Sequence, residues 1–198
     1  MQFQFWFDFG SPYSYLTAAR IEALAQQAGV EVEWRPFLLG PIFRKQGWET
    51  SPFNLYPLKG RYMWRDLERT TAAMGLVCRK PTVFPQNGLL AARVACRFAD
   101  AEWMTAFIKR AFAASFVSDL DLADAAVIEK VLDDLGLPGK ETLAIAQGQE
   151  SKDRLRAQTE AAESYGIFGA PTFRVGEELF WGNDRLEDAL HWARYGKL

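Results

Sequence analysis

The chain is short of the side chains that bind transition metals and form disulfide frameworks. Its 198 residues include two cysteines, Cys78 and Cys96, and one histidine, His191. Two cysteines this far apart make no disulfide framework. With a single histidine they supply no zinc site of the usual Cys/His kind. No loop has the ligand spacing for a carboxylate-held ion, so no metal is expected. No apolar run reaches the eighteen or so residues of a membrane span, and no basic residue precedes the first apolar run as in a secretory leader. The formal charge of −2 calls for neither nucleic acid nor an anionic membrane as partner. A phosphate-cradling glycine loop and a dinucleotide fingerprint are also missing. A reducing, cytoplasmic setting is the expectation.

Aromatic residues are plentiful, with 15 Phe and 7 Trp. They suit a well-filled core, or large apolar pockets. The length suffices for one sizeable core, or for one core with a large insertion.

Residues 2–9 alternate, with Phe3, Phe5, Phe7 and Phe9 on one face, which predicts a strand. Trp6 on the other face implies that both faces are covered, as in a central strand. At Gly10-Ser11-Pro12 the period changes to helical, with a stripe read as Leu16, Ala19, Ala23 and Leu24 and a stop at Gly29. Pro12 suits the first helical position, where no backbone donor is needed. Residues 30–37, VEVEWRPF, alternate again, and their charged face suits a sheet edge.

Residues 40–58 read as irregular. Helical patterns then run near 60–75, 87–100, 101–117, 123–136, 139–148 and 150–165. After GIFGAP comes a hairpin, TFRV-GE-ELFW, and a closing helix over 184–195. The order is β-α-β, a helical block, then β-β-α. A parallel half joined to an antiparallel half predicts an α/β, thioredoxin-like fold. Residues 1–58 and 166–198 form its thioredoxin-like domain, and 59–165 form a large all-helical insertion.

Three places could carry chemistry. Ser11 stands where the first helix begins, the natural N-cap position, and a serine there often does no more than cap. The same place favours an anion through free N–H groups and the helix dipole, and a hydroxyl there can help ionise a thiol. Ser11 and Ser14 occupy the two positions of a Cys-x-x-Cys pair, which excludes disulfide chemistry there and leaves the handling of an external thiol. Pro171, before the third strand, stands where thioredoxin-like domains carry a cis-proline. In FWGNDRLE, Asp184 and Glu187 have capping-box spacing, though Asn183 could equally be the cap, and exposed Asn-Asp at a helix start could also grip a peptide-like ligand. Lys59, Arg61, Arg65 and Arg69 read as a solvated basic stripe, and His191 as too remote to serve Ser11 as a base.

Taken together, FDFGSPYSYL, WRPFLLGPIF, FPQN, GIFGAPTF and FWGNDRLE resemble, from end to end, the 2-hydroxychromene-2-carboxylate isomerases, relatives of the kappa-class glutathione transferases within the DsbA-like thioredoxin superfamily. The resemblance implies a homodimer that uses glutathione as cofactor and acts on a small aromatic substrate. Ser11 would hold the glutathione sulfur as thiolate, and Ala170 would pair its backbone with the cysteinyl part. Trp181, Gly182, Asn183 and Asp184 would contact the rest, with Asp184 at the γ-glutamyl end. Arg44, Asn54 and Asn87 would fall near the substrate. The implied reaction isomerises 2-hydroxychromene-2-carboxylate to trans-o-hydroxybenzylidenepyruvate in the breakdown of naphthalene-type aromatics. A kappa-like transferase or peroxidase acting on another electrophile, and a non-enzymatic glutathione binder, stand as alternatives.

Overall fold

The computed structural model describes residues Met1–Leu198. Strand β1 (Phe3–Phe7) leads through a tight turn into α1 (Pro12–Ala28), and β2 (Val32–Pro36) follows. Strands β3 (Thr172–Val175) and β4 (Glu178–Trp181) form the closing hairpin, and a 3₁₀ turn at Asn183–Arg185 leads into α10 (Leu186–Tyr195). The sheet order is β2-β1-β3-β4. β1 pairs in parallel with β2, Phe5 opposite Trp34, and antiparallel with β3, Phe5 opposite Phe173. This is the expected parallel half joined to an antiparallel half, with β2 at an edge.

β1 is central because both its faces are apolar. Phe3, Phe5 and Phe7 enter the main core, while Trp6 enters a smaller one with Phe37, Ile42 and Ile167. Each fully buried side chain of this size contributes about 1.5–3 kcal/mol relative to its exposed state.

Helices α4 (Pro57–Met74), α5 (Leu89–Arg97), α6 (Met104–Phe116), α7 (Ala125–Asp133), α8 (Gly139–Gln147) and α9 (Gln149–Ser164) make up the intervening block. Its core is continuous with that of the sheet: Phe112 of α6 lies 4.9 Å from Phe9 and 5.9 Å from Phe7, ring centre to ring centre.

Three local readings are corrected. The buried face of α1 is Leu16, Ala18, Ile21 and Ala25, whereas Ala19 and Ala23 are exposed. Alanine is tolerated on either face of a helix, so the branched Ile21 sets the phase. Residues 40–58 are not wholly irregular. They hold α2 (Leu39–Lys45) and α3 (Pro52–Leu55), each too short for a periodic signal and each with a proline in its first turn, where one is tolerated. Asp184 does not cap α10, for neither the 3₁₀ turn nor the helix has a side-chain cap bond.

Candidate functional site

The turn from β1 into α1 is built by Asp8. Its backbone carbonyl accepts from the Ser11 N–H at 3.0 Å, and its carboxylate accepts from the Gly10 N–H at 2.7 Å. Ser11 follows with extended backbone (φ −91°, ψ 115°) as the N-cap of α1, its Oγ accepting from the Ser14 N–H at 3.2 Å. The capping role is therefore real. The same hydroxyl donates to the Ala170 carbonyl at 2.8 Å, across 159 residues of chain. Ser11 is 7% exposed. The Ala170–Pro171 bond is cis, as is Phe84–Pro85 in the FPQN segment. Ser14, at the second redox position, is fully buried, and its Oγ has no hydrogen-bond partner.

Gly169 lets Trp181 lie against the Ala170 segment, since a Cβ at Gly169 would fall 2.3 Å from the Trp181 Nε1. Phe168 packs edge-on to Trp181 at 4.9 Å. Gly182 has φ 115°, a region that L side chains rarely adopt, and its N–H donates to the Pro171 carbonyl at 3.0 Å. The chain thus crosses beside the cis-proline and presents Asn183 and Asp184 at a helix start. Asn183 is buried, its Oδ1 accepting from the Thr17 hydroxyl at 3.1 Å and from Arg20 Nε at 3.3 Å. Asp184, by contrast, holds a carboxylate whose side chain is 76% exposed, 3.6 Å from Arg185.

A cleft of about 1460 Å³ brings these groups together. Ser11, Ala170, Trp181, Gly182, Asn183 and Asp184 all line it, and so do Arg44 and Asn87 from the expected substrate side. Asn54 does not line it. Its Nδ2 donates to Thr50 Oγ1 at 3.1 Å and to the Phe84 carbonyl at 3.0 Å, tying α3 to the FPQN segment. A smaller cavity of about 680 Å³ shares Asp66, Thr70, Asn183 and Asp184 with the cleft and adds Arg20, Arg69 and Glu187.

The wall that the sequence reading missed is α4. Lys59, Tyr62, Asp66 and Thr70 line the cleft, at the spacing of one helical stripe. Of the basic stripe read from the sequence, Lys59 faces the cleft, whereas Arg61, Arg65 and Arg69 fall on the neighbouring face. Arg65 pairs with Glu68 at 2.7 Å, and Arg69 with Asp66 at 3.2 Å. Asp66 also accepts from the Tyr13 hydroxyl at 2.9 Å, and burial together with this carboxylate raises the Tyr13 pKa above its ordinary value. The signal for this wall was the i, i+3, i+7, i+11 spacing, hidden by three arginines on the neighbouring face.

Neither cysteine nor histidine lines the cleft. Burial pushes the Cys78 thiol up to about 11 and raises that of Cys96 as well, so both stay protonated at neutral pH. His191 is exposed and packs on Tyr195 at 4.6 Å. The cleft therefore has no sulfur nucleophile and no imidazole base of its own. It does offer a helix N-terminus, a hydroxyl and a backbone carbonyl side by side.

The model of the DSBA-like thioredoxin domain matches residues 2–191. A 2-hydroxychromene-2-carboxylate isomerase of Pseudomonas putida is 31% identical over 189 residues, covering 92% of this chain and 89% of that relative. Glutathione S-transferase kappa 1 of Caenorhabditis elegans is 24% identical over 200 residues, covering 92% of this chain and 86% of that protein. Among solved structures, a 2-hydroxychromene-2-carboxylate isomerase superposes with a TM-score of 0.83 at 26% identity, over 94% of this chain and 91% of its own.

Proposed function

The chain belongs to the DSBA-like thioredoxin family, among the 2-hydroxychromene-2-carboxylate isomerases, and from that premise we propose that it is a glutathione-dependent isomerase acting on a 2-hydroxychromene-2-carboxylate. One observation carries the reading. The Ser11 hydroxyl caps α1 and reaches the Ala170 carbonyl beside Pro171, while serine at both redox positions removes disulfide exchange.

The donor set fits the cysteinyl part of a thiol peptide. A serine has one O–H to give. When Ser11 turns that proton toward a bound sulfur, it releases the Ala170 carbonyl, which becomes free to accept a peptide N–H from the same ligand. One rotation of one hydroxyl serves both contacts. The α1 N-terminus adds its positive end, and together these lower the pKa of a thiol held there. Bound glutathione would supply the thiolate that adds reversibly to the conjugated carbon of the opened enone, so that the former double bond turns before the thiolate departs. Trp181 and the Gly182-Asn183-Asp184 start of α10 hold the remainder of the tripeptide, with Asp184 toward its ammonium end. Arg44 offers a cation to the substrate carboxylate as negative charge develops beside it. Asn87 lies on the same side, and Asn54 acts there by holding the FPQN segment.

The test follows the ultraviolet absorbance of 2-hydroxychromene-2-carboxylate with purified protein, with and without glutathione, while total free thiol is measured. Conversion that requires glutathione and consumes none supports the isomerase. Loss of thiol into a stable adduct moves the assignment to a kappa-like transferase using the same site, which the kappa-named relative favours.

A further inference from the structure

We propose that Asp8 is the proton relay that opens and closes the hemiketal ring of the substrate, a step separate from the thiol chemistry at Ser11. The proposal rests on the isomerase reading above.

Ring opening has a proton requirement of its own. The hemiketal hydroxyl must lose its proton, and the ring C–O bond breaks with its electron pair going to the aryl oxygen. That oxygen then takes up a proton to become a phenol. A carboxylate that accepts the first proton and returns it at the second site finishes in its starting state, so no oxidant, reductant or co-reactant is needed.

Asp8 is placed for this. Its backbone carbonyl closes the turn whose fourth residue is Ser11, and both residues line the same cleft. One carboxylate oxygen accepts from the Gly10 N–H at 2.7 Å and the other from the Leu39 N–H, at the start of α2, at 2.8 Å. The group is thus held between α1 and α2 with lone pairs to spare on each oxygen. Across the turn stand Pro85 and the Gln86 carbonyl, which approach so closely that a Cβ on Gly10 would come within 2.9 Å of that carbonyl. No titratable side chain is among these neighbours. Burial outweighs the two N–H bonds and raises the Asp8 pKa above the ordinary carboxylate value. The other three cleft carboxylates are less suited: Asp66 is engaged by Tyr13 and Arg69, Asp184 is largely exposed beside Arg185, and Glu49 is exposed as well.

The test compares wild type, Asp8→Asn and Asp8→Glu on two substrates. One is the ring-closed chromene. The other is an open-chain cis benzylidene ketone lacking the phenol, which needs only thiol addition and elimination. The expected result for Asp8→Asn is a loss on the closed ring about a hundredfold or more beyond its loss on the open-chain substrate, since the amide keeps one of the two N–H bonds that hold the turn and gives up the other. Asp8→Glu should recover part of the loss. The closed-ring rate of wild type should rise with pH along a limb that the open-chain substrate lacks. Unfolding gives an independent readout. Because native Asp8 binds its proton more tightly than the unfolded chain does, it makes stability fall as pH rises from the ordinary carboxylate value through its native one, and Asp8→Asn should remove that fall. Equal losses on both substrates, or lost glutathione binding, would show that Asp8 only holds the turn. Should Asp8→Asn fail to fold, identical wild-type pH profiles on the two substrates overturn the proposal. A wild type inactive on both substrates would instead sink the isomerase reading itself, and the relay with it.

Discussion

Ser11 caps α1 and, on the proposed function, also donates to a bound thiolate; substitution should separate the two. As an N-cap its oxygen is worth about 0.5–2 kcal/mol; as a donor to developing negative charge, such a group is worth roughly a hundredfold or more in rate. Ser11→Ala should therefore lower the melting temperature by a few degrees and cut turnover about a hundredfold, with glutathione affinity reduced less. A variant that loses stability yet keeps full turnover at saturating glutathione would reduce Ser11 to a cap. Asp184 poses the opposite case. Because it makes no capping bond, Asp184→Asn should leave the melting temperature in place and raise the glutathione concentration needed for half-maximal rate. A shift in thermal stability alone would contradict that role. These residues were legible because FGSPYSY and FWGNDRL announce helix starts. Asp8 was not. An aspartate within an alternating strand reads as one more outward-facing polar residue until the fold brings Leu39 and Gln86 against it.

At the scale of elements, the site depends on the FPQN segment pressing against the β1–α1 turn. Gly88 allows this: a Cβ there would fall 2.5 Å from the Phe9 Cβ. The neighbour is a packed core residue that cannot swing aside, so Gly88→Ala should cost about 1–3 kcal/mol, or several degrees in a chain of this length. It should also slow turnover by shifting the loop from Gly10. Unchanged melting and activity would mean that the contact is looser than the geometry says. The strands and long helices were legible from their periods, because each buries a regular set of large side chains. The two short helices between β2 and α4 were not, since seven and four residues give too few turns to show a period. The lining face of α4 was obscured for a different reason. Three arginines draw the eye to the solvated face, while a cleft-lining face of Lys, Tyr, Asp and Thr is neither apolar nor uniformly charged.

For the whole molecule, the helical block is an insertion in chain order but not a separate core. One cluster of 37 buried residues runs from Phe3, Phe5 and Phe7 through Phe107, Phe112 and Phe116 to Leu186 and Leu190. The sheet and the helical block should therefore unfold together. Circular dichroism of the backbone and fluorescence of the tryptophans, which lie in both parts, should report a single coincident transition. Two resolved transitions would contradict it. The same continuity explains the cleft, whose floor is the sheet end with α1 and whose wall is α4 and the FPQN segment, so neither part alone makes the site.

On the proposed function, the start of α1 holds an external thiol as its thiolate. The most direct measurement is a pH titration of the thiolate absorbance of glutathione bound to wild type and to Ser11→Ala. Glutathione bound to wild type should ionise well below the ordinary cysteine value of about 8.5, and much of this depression should disappear in Ser11→Ala. Bound glutathione that ionises at its solution value in wild type, or identically in both proteins, would contradict it.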